Sequence, residues 1–379
     1  MGGGPGTPEL AAAVSNAGGL GSLAAAYWSP DEILQSIRRT QALTIRPFAV
    51  NLFAGGYAAE AKADPAPMLQ LLSSIHETLG LPPPVIPVLP PDPFREQLEA
   101  VLEARPAVFS FTFGIPGRDV LSRLRSRGIA TLGTATTAGE ARLLVEAGVD
   151  AVVAQGAEAA AHRGTFAVPF DAAMVPTLHL VREIAAFAPL IASGGIMDGR
   201  DLATMLAHGA IAAQLGTAFL TCPESGASPA YKRAILRVAS SPTARFSATK
   251  KPLADARGSE QSHDRKGVIF RKSAKPGGHG ANNRAASDAT VITRAFSGRP
   301  ARGLANAFTT LLAGNENAIL PYPLQNVLTR AMRAAAAAQG NAEFLSLWAG
   351  EGVARSRQMP AGELVEKLLG ESEAGGGPI

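Results

Sequence analysis

Cysteine is nearly absent from this chain: Cys222 is the only one in 379 residues, which excludes an internal disulfide framework. Long apolar runs are missing as well. No stretch of about 18 uninterrupted apolar residues occurs, and the opening MGGGPG lacks the basic-then-apolar order of a secretory signal. A cytoplasmic protein without a membrane span is therefore expected. Histidine and cysteine show no spacing that suggests a metal pair, so no metal is expected either. An excess of one charge is confined to a single place. The net charge of +4 comes from residues 241–289, which hold ten Lys/Arg against four Asp/Glu; this stretch carries +6 and leaves −2 for the rest. The basic balance thus gives no ground for a nucleic-acid partner.

What is present is a large apolar content, 46%, in a chain long enough for one α/β domain with an appendage. Seven apolar runs alternate with helical patterns: GLGSLAA, PFAVNLF, AVFSFTFG, IATLGTAT, DAVVAQG, LIASGG and IAAQLGTAFL. Strands that are apolar almost throughout, each followed by a helix, indicate a parallel sheet covered on its outer face. Seven is one short of a (β/α)8 TIM barrel. Because the chain opens on a Gly-rich loop feeding a helix capped by Thr7, the missing first strand is expected before Met1, with a doubly wound open sheet as the alternative. In the barrel reading, the runs ending in SGG and QLGT become strands seven and eight, where such barrels bind phosphate on backbone N–H groups. Gly194, Gly195, Gly216 and Thr217 are the candidates for that role.

The stretch Gln155–Phe166, QGAEAAAHRGTF, follows an apolar run and sets Gln, Glu, His and Arg within nine residues. Polar density at a strand end reads as a site or as a capped surface turn. His162 stands apart from His76, His179 and His208, which lie in helical patterns that suit surface or packing roles. Asn51 ends its strand with a carboxamide suited either to a planar ligand or to tying down a loop. Cys222 has no partner motif and reads as structural. The expected organisation is a barrel over residues 1–222, a helical substrate-side segment over 223–240 and 290–345, a basic low-complexity insertion over 241–289 that cannot bury a core, and C-terminal helices with a frayed tail over 346–379.

The blocks GTPELAAAVSNAGGLGSLAAAY, PFAVNLF, FTFG, QGAEAAAHRGTF, ASGGIMDGRDLATMLAHGA, QLGTAFLTCPESG and TRAFSGRPARG resemble, in order and spacing, the nitronate monooxygenase family. The resemblance implies an FMN-dependent barrel with a smaller helical substrate domain. It would oxidise alkyl nitronates, of the propionate 3-nitronate type, with O2 to carbonyl compounds and nitrite. It implies FMN contacts at Asn51, Gln155, Ala160, Gly195, Gln214, Leu215, Gly216 and Thr217, and His162 as the catalytic residue. His162 would either hold the nitronate oxygens or accept the α-proton of a neutral nitroalkane, and the preference of bacterial relatives for nitronates favours the first. Three departures stand out: the family's first strand precedes the Gly-rich loop and is absent here, the family usually reads GAEAGGHRG where this chain has Ala160 and Ala161, and the basic insertion interrupts a short link. The alternatives are an NAD(P)H-dependent FMN reductase of the same barrel type, acting on quinones or enoyl thioesters, and a degraded non-catalytic flavin-binding homologue. Oligomeric state is not legible.

Overall fold

The computed structural model describes residues 3–57, 63–89, 91–241 and 289–375. Seven of its strands form one parallel sheet. They are β1 (Gly21–Ala24), β2 (Phe48–Phe53), β3 (Val108–Thr112), β4 (Ala130–Ala135), β5 (Ala151–Gln155) and, after a short β6 (Ala161–His162) that belongs to a second sheet, β7 (Leu190–Ser193) and β8 (Ala212–Gln214). Neighbours in space are neighbours in sequence, from β1 through β8. The sheet curls as a TIM barrel does, and β1 and β8 are its two edges among the described residues.

The helices follow from their caps and apolar stripes. The Thr7 hydroxyl accepts from Leu10 N to start α1 (Pro8–Asn16), and Ser29 forms a capping box with Glu32 at α2 (Pro30–Leu43). The start of the chain is tied down at the far end of the sheet: Gly226 N donates to Pro5 O, and the Thr7 hydroxyl donates to Glu224 O. After β2 come α3 (Ala66–Thr78) and α4 (Phe94–Ala104), and α5 (Arg118–Arg125), α6 (Ala138–Ala147), α7 (Thr177–Ala185) and α8 (Gly199–Ala207) alternate with the later strands. Leu23, Val50, Leu52, Phe109, Phe111, Val152 and Leu190 lose nearly all solvent contact in the core between sheet and helices.

A second core lies over the C-terminal ends of the strands. It joins Met68, Leu72 and Ile75 of α3 to Phe296, Phe308, Leu312, Leu328 and Trp348. Residue numbering assigned α3 to the barrel, but its apolar face packs in this cap instead. The cap contains β9 (Thr290–Thr293), β10 (Ala301–Leu304), α9 (Pro229–Ala239), α10 (Ala307–Ala313), α11 (Leu324–Leu328) and α12 (Arg330–Ala338). It is not wholly helical: β10 pairs antiparallel with both β9 and β6, with Ala301 opposite His162 and Arg302 opposite Ala161. The last helix, α13 (Ala361–Ala374), returns to the barrel, where Gly199 at the start of α8 leaves room for Glu371 and Leu368. Most of the basic insertion, 242–288, and the tail 376–379 lie outside the described residues. No described helix is long and apolar enough to cross a membrane.

Candidate functional site

Three loops at the C-terminal end of the sheet converge on a set of free backbone amides. Gly194 and Gly195 follow β7 with φ of 132° and 72°, conformations that a side chain disfavours. A Cβ on Gly194 would lie 2.6 Å from Thr177 Oγ1 and 3.1 Å from Ala159 N. Gly216 and Thr217 follow β8, and Ala160 follows β5. The amides of Ala160, Gly195, Gly216 and Thr217 donate to no acceptor among the described residues. Converging N–H groups beside glycines make an anion cradle.

Its third wall comes from residues 348–355, distant in sequence. Gly350 N donates to Thr217 Oγ1 at 3.0 Å, and the threonine hydroxyl donates to no acceptor among the described residues. Glu351 N donates to Glu158 O, and Arg302 pairs with the Glu351 carboxylate at 2.9 Å. Arg355 donates to Gly195 O and bridges Asp198 and Asp201 at 2.9 and 2.6 Å. A Cβ on Gly350 would stand 2.7 Å from Glu158 O, so only glycine lets this segment approach.

The loop bearing His162 is clamped on every side. Gln155 donates through Nε2 to His162 O at 3.0 Å and accepts from Gly164 N at 2.7 Å, so its amide, expected to face a ligand, braces this loop. Arg163 is 1% exposed and donates to the carbonyls of Gln155, Gly156 and Ala173. Burial, followed by nearby Arg302, pulls its guanidinium down to about 10. Glu140 at the start of α6 is fully buried, and its two oxygens accept from Thr136 N and Oγ1, Thr165 Oγ1, Phe166 N and Ala167 N. Burial alone would raise its carboxyl, but hydrogen bonds from Thr136, Ala167 and Phe166 outweigh that and hold it below the ordinary value.

His162 keeps one partly accessible face between barrel and cap. Phe53, Phe113, Tyr322 and Trp348 stand around it with ring centroids 5.6 to 6.5 Å away. Its Nε2 lies 2.8 Å from Ser297 Oγ. Burial, with Arg299 and Arg333 adding to it, pulls the imidazole down to about 3, so the ring is neutral at physiological pH. Arg299 stacks over the Phe113 ring at 3.8 Å and donates to Thr165 O; Arg333 donates to Asn326 Oδ1 and two carbonyls. Neither has a carboxylate partner among the described residues. The Tyr27 and Tyr322 side chains interact here, and burial raises both phenols.

Of the residues picked from sequence, Ala160, Gly194, Gly195, Gly216 and Thr217 meet at the cradle. Gln214 and Leu215 lead into it, Gln214 with its side chain exposed. Asn51 donates to Ser110 Oγ at 2.9 Å on the neighbouring strand, and its Oδ1 accepts from no donor among the described residues. Ala161 has φ of 61°, which explains physically why glycine is usual there. Cys222 is buried and its thiol is pushed up to about 12, in keeping with a structural role. His76 is buried, while His179 pairs with Glu183 at the surface and His208 contacts Arg182. Gly350, Arg355 and Glu140 were not picked out, because nothing near them in sequence marks them; Ser297 and Arg299 lie in the block TRAFSGRPARG, but neither was singled out as a site residue.

The profile of the nitronate monooxygenase family matches residues 1–253 and 274–371, so it runs further into the basic stretch from both sides than sequence reading expected. A nitronate monooxygenase from Pseudomonas aeruginosa is 40% identical over 374 residues, covering 96% of this chain and 92% of that protein. A probable nitronate monooxygenase from Staphylococcus saprophyticus is 36% identical over 96% of this chain and 90% of its own length. Among solved structures, a nitroalkane oxidase from Streptomyces ansochromogenes superposes with a TM-score of 0.79 at 37% identity, covering 99% of this chain and 94% of the other. FabK from Thermotoga maritima gives 0.66 at 25% identity, covering 98% and 90%.

Proposed function

The chain belongs to the nitronate monooxygenase family of nitronate-oxidising flavoenzymes, and from that premise we propose that it holds FMN and oxidises alkyl nitronates of the propionate 3-nitronate type with O2, releasing a carbonyl compound and nitrite. The observation that carries the substrate class is the positive charge of Arg299 and Arg333 beside His162, neither of them ion-paired among the described residues. Their positive field, which adds to burial in pulling the imidazole down to about 3, favours a substrate that arrives as an anion.

The residues fit the cofactor. Free amides at Ala160, Gly195, Gly216 and Thr217 suit a phosphate, and a Cβ at Gly194 would fill the cradle. The Thr217 hydroxyl keeps a hydrogen to give, because it already accepts from Gly350. Asn51 Oδ1, which has no donor among the described residues, supports a role in orienting the flavin ring. The bound flavin supplies acceptance of electrons from the substrate and their delivery to O2. The chain's part is placement: His162 and the tyrosine pair Tyr27 and Tyr322 line the substrate side, and Phe53, Phe113 and Trp348 keep water from it.

Anaerobic mixing tests the reading. The purified protein should carry FMN, and its absorbance near 450 nm should bleach with nitronate but not with NADH. Bleaching by NADH would support the reductase reading, and a colourless protein that takes up no FMN would support the non-catalytic one.

A further inference from the structure

The side chain beside His162 in the cap is itself fully engaged. A serine hydroxyl has one hydrogen to give and two lone pairs to receive. Ser297 Oγ has three neighbours at hydrogen-bond distance: Arg299 O at 3.1 Å, Arg299 N at 3.3 Å and His162 Nε2 at 2.8 Å. The carbonyl can only accept and the amide can only donate. The single hydroxyl hydrogen therefore goes to Arg299 O, and both lone pairs remain for N–H donors. His162 must then bring its own hydrogen on Nε2. In the opposite arrangement, with the hydroxyl donating to a bare Nε2, Arg299 O is left with no donor among the described residues.

We propose that Ser297 is a positioning residue that holds His162 as the neutral Nε2–H tautomer, so that Nδ1 presents a lone pair to the space between barrel and cap. Ser297 is suited to this because it is held in place: it is 1% exposed, and the turn that contains it is closed by a 2.7 Å bond from Gly298 N to Arg294 O. Gly298 has φ of 80°, and a Cβ there would strike the backbone of Leu320. The histidine backbone is fixed independently, by Gln155 on its carbonyl and by the β6–β10 pairing, and Arg163 N donates to Pro300 O. Only the ring remains to be set. Nδ1 has no protein partner among the described residues, and the groups facing the ring from the cap, Arg299 and Arg333, oppose a second proton there.

The tautomer decides which of two roles His162 can take. With its hydrogen committed to Ser297, the ring is an acceptor rather than a donor to nitronate oxygens, which favours the role the sequence-based expectation placed second. On the proposed flavin reaction, on which this consequence rests, a neutral nitroalkane transfers its α-proton to Nδ1 and the C–H electron pair stays on the nitro group as the nitronate. A substrate that arrives already ionised has no such proton to give.

Nitrogen-15 NMR of the histidine-labelled holoenzyme at neutral pH, with His162→Asn to assign the signal, reads the tautomer directly. The expected result is one proton, on Nε2, with Nδ1 bare; a proton on Nδ1 overturns the proposal. Ser297→Ala should keep its FMN and lose roughly 10- to 100-fold in kcat on neutral nitroalkane, with turnover of preformed nitronate changed less than about twofold. Equal losses on both substrates would also overturn it. A wild-type enzyme that turns over neither substrate refutes the flavin reaction instead, while the NMR result still stands or falls by itself.

Discussion

Replacing Glu140 by glutamine should cost about 5 kcal/mol of stability at neutral pH, although the side chain keeps its shape. The carboxylate serves five donors, three on one oxygen (Thr165 Oγ1, Phe166 N and Ala167 N) and two on the other (Thr136 N and Oγ1). A glutamine can keep its carbonyl toward the first three, but its NH2 then faces Thr136 N–H. Orphaning that buried amide costs about 1–3 kcal/mol, and three charge-assisted bonds each weaken by about 1 kcal/mol. With an unfolding entropy near 0.8 kcal/mol/K for a chain of this size, the melting temperature should fall by about 6 °C. Thermal unfolding followed by circular dichroism measures this. The pH dependence adds a second handle. The native carboxyl is held below its ordinary 4.5, so its contribution is complete above that value and disappears as pH falls through the lower native one. The gap between wild type and Glu140→Gln should therefore be constant from pH 8 to about 5 and close on further acidification. Equal melting temperatures at pH 7.5, or a gap that persists undiminished into strong acid, would refute the bonding described for this residue.

Gly194→Ala should leave a folded protein with at least about tenfold less bound flavin, judged from the 450 to 280 nm absorbance ratio, because φ of 132° and the 2.6 Å approach to Thr177 Oγ1 exclude a Cβ. Unchanged flavin content would remove Gly194 from the cradle. His162→Asn should lose about 100-fold on neutral nitroalkane, the low end for a histidine base because its ring is pulled down to about 3, and should lose far less on nitronate. For the same reason wild-type nitronate turnover should show no inflection near the ordinary histidine value of 6.5, and one there would contradict the assigned environment. Ala161→Gly should relieve about 1 kcal/mol of left-handed backbone strain and raise the melting temperature by about 1 °C with FMN retained; a marked drop would mean the methyl group's packing in the cap matters more.

The barrel was readable because several of its strands, β5 and β7 among them, are buried almost throughout. Runs such as DAVVAQG and LIASGG therefore stay apolar from end to end, and all seven appear as strands in chain order. The small antiparallel sheet gave no such signal. β6 has two residues, and β9 and β10 carry Thr and Arg, so no period-2 pattern exceeds the background. The cradle was legible where glycines and Thr217 end strands, but its third wall at Gly350 and Arg355 lies more than 130 residues beyond Thr217. Glu140 and Arg163 look like surface charges in sequence. Only the folded chain reveals that each is buried among partners of the opposite hydrogen-bonding sense.

The reach of Gly350 to Thr217 and of Arg355 to Gly195 has a consequence for biosynthesis. The residues of two walls of the proposed phosphate cradle are made once the ribosome has passed Thr217, but the third waits for nearly 140 further residues. At about 5–20 residues per second that delay is roughly 7–28 s. During it the nascent barrel can form its parallel strands, yet it exposes amides that nothing covers. If the cradle holds the flavin as proposed, cofactor capture waits for the end of translation, and a chain released before Arg355 should bind flavin more weakly.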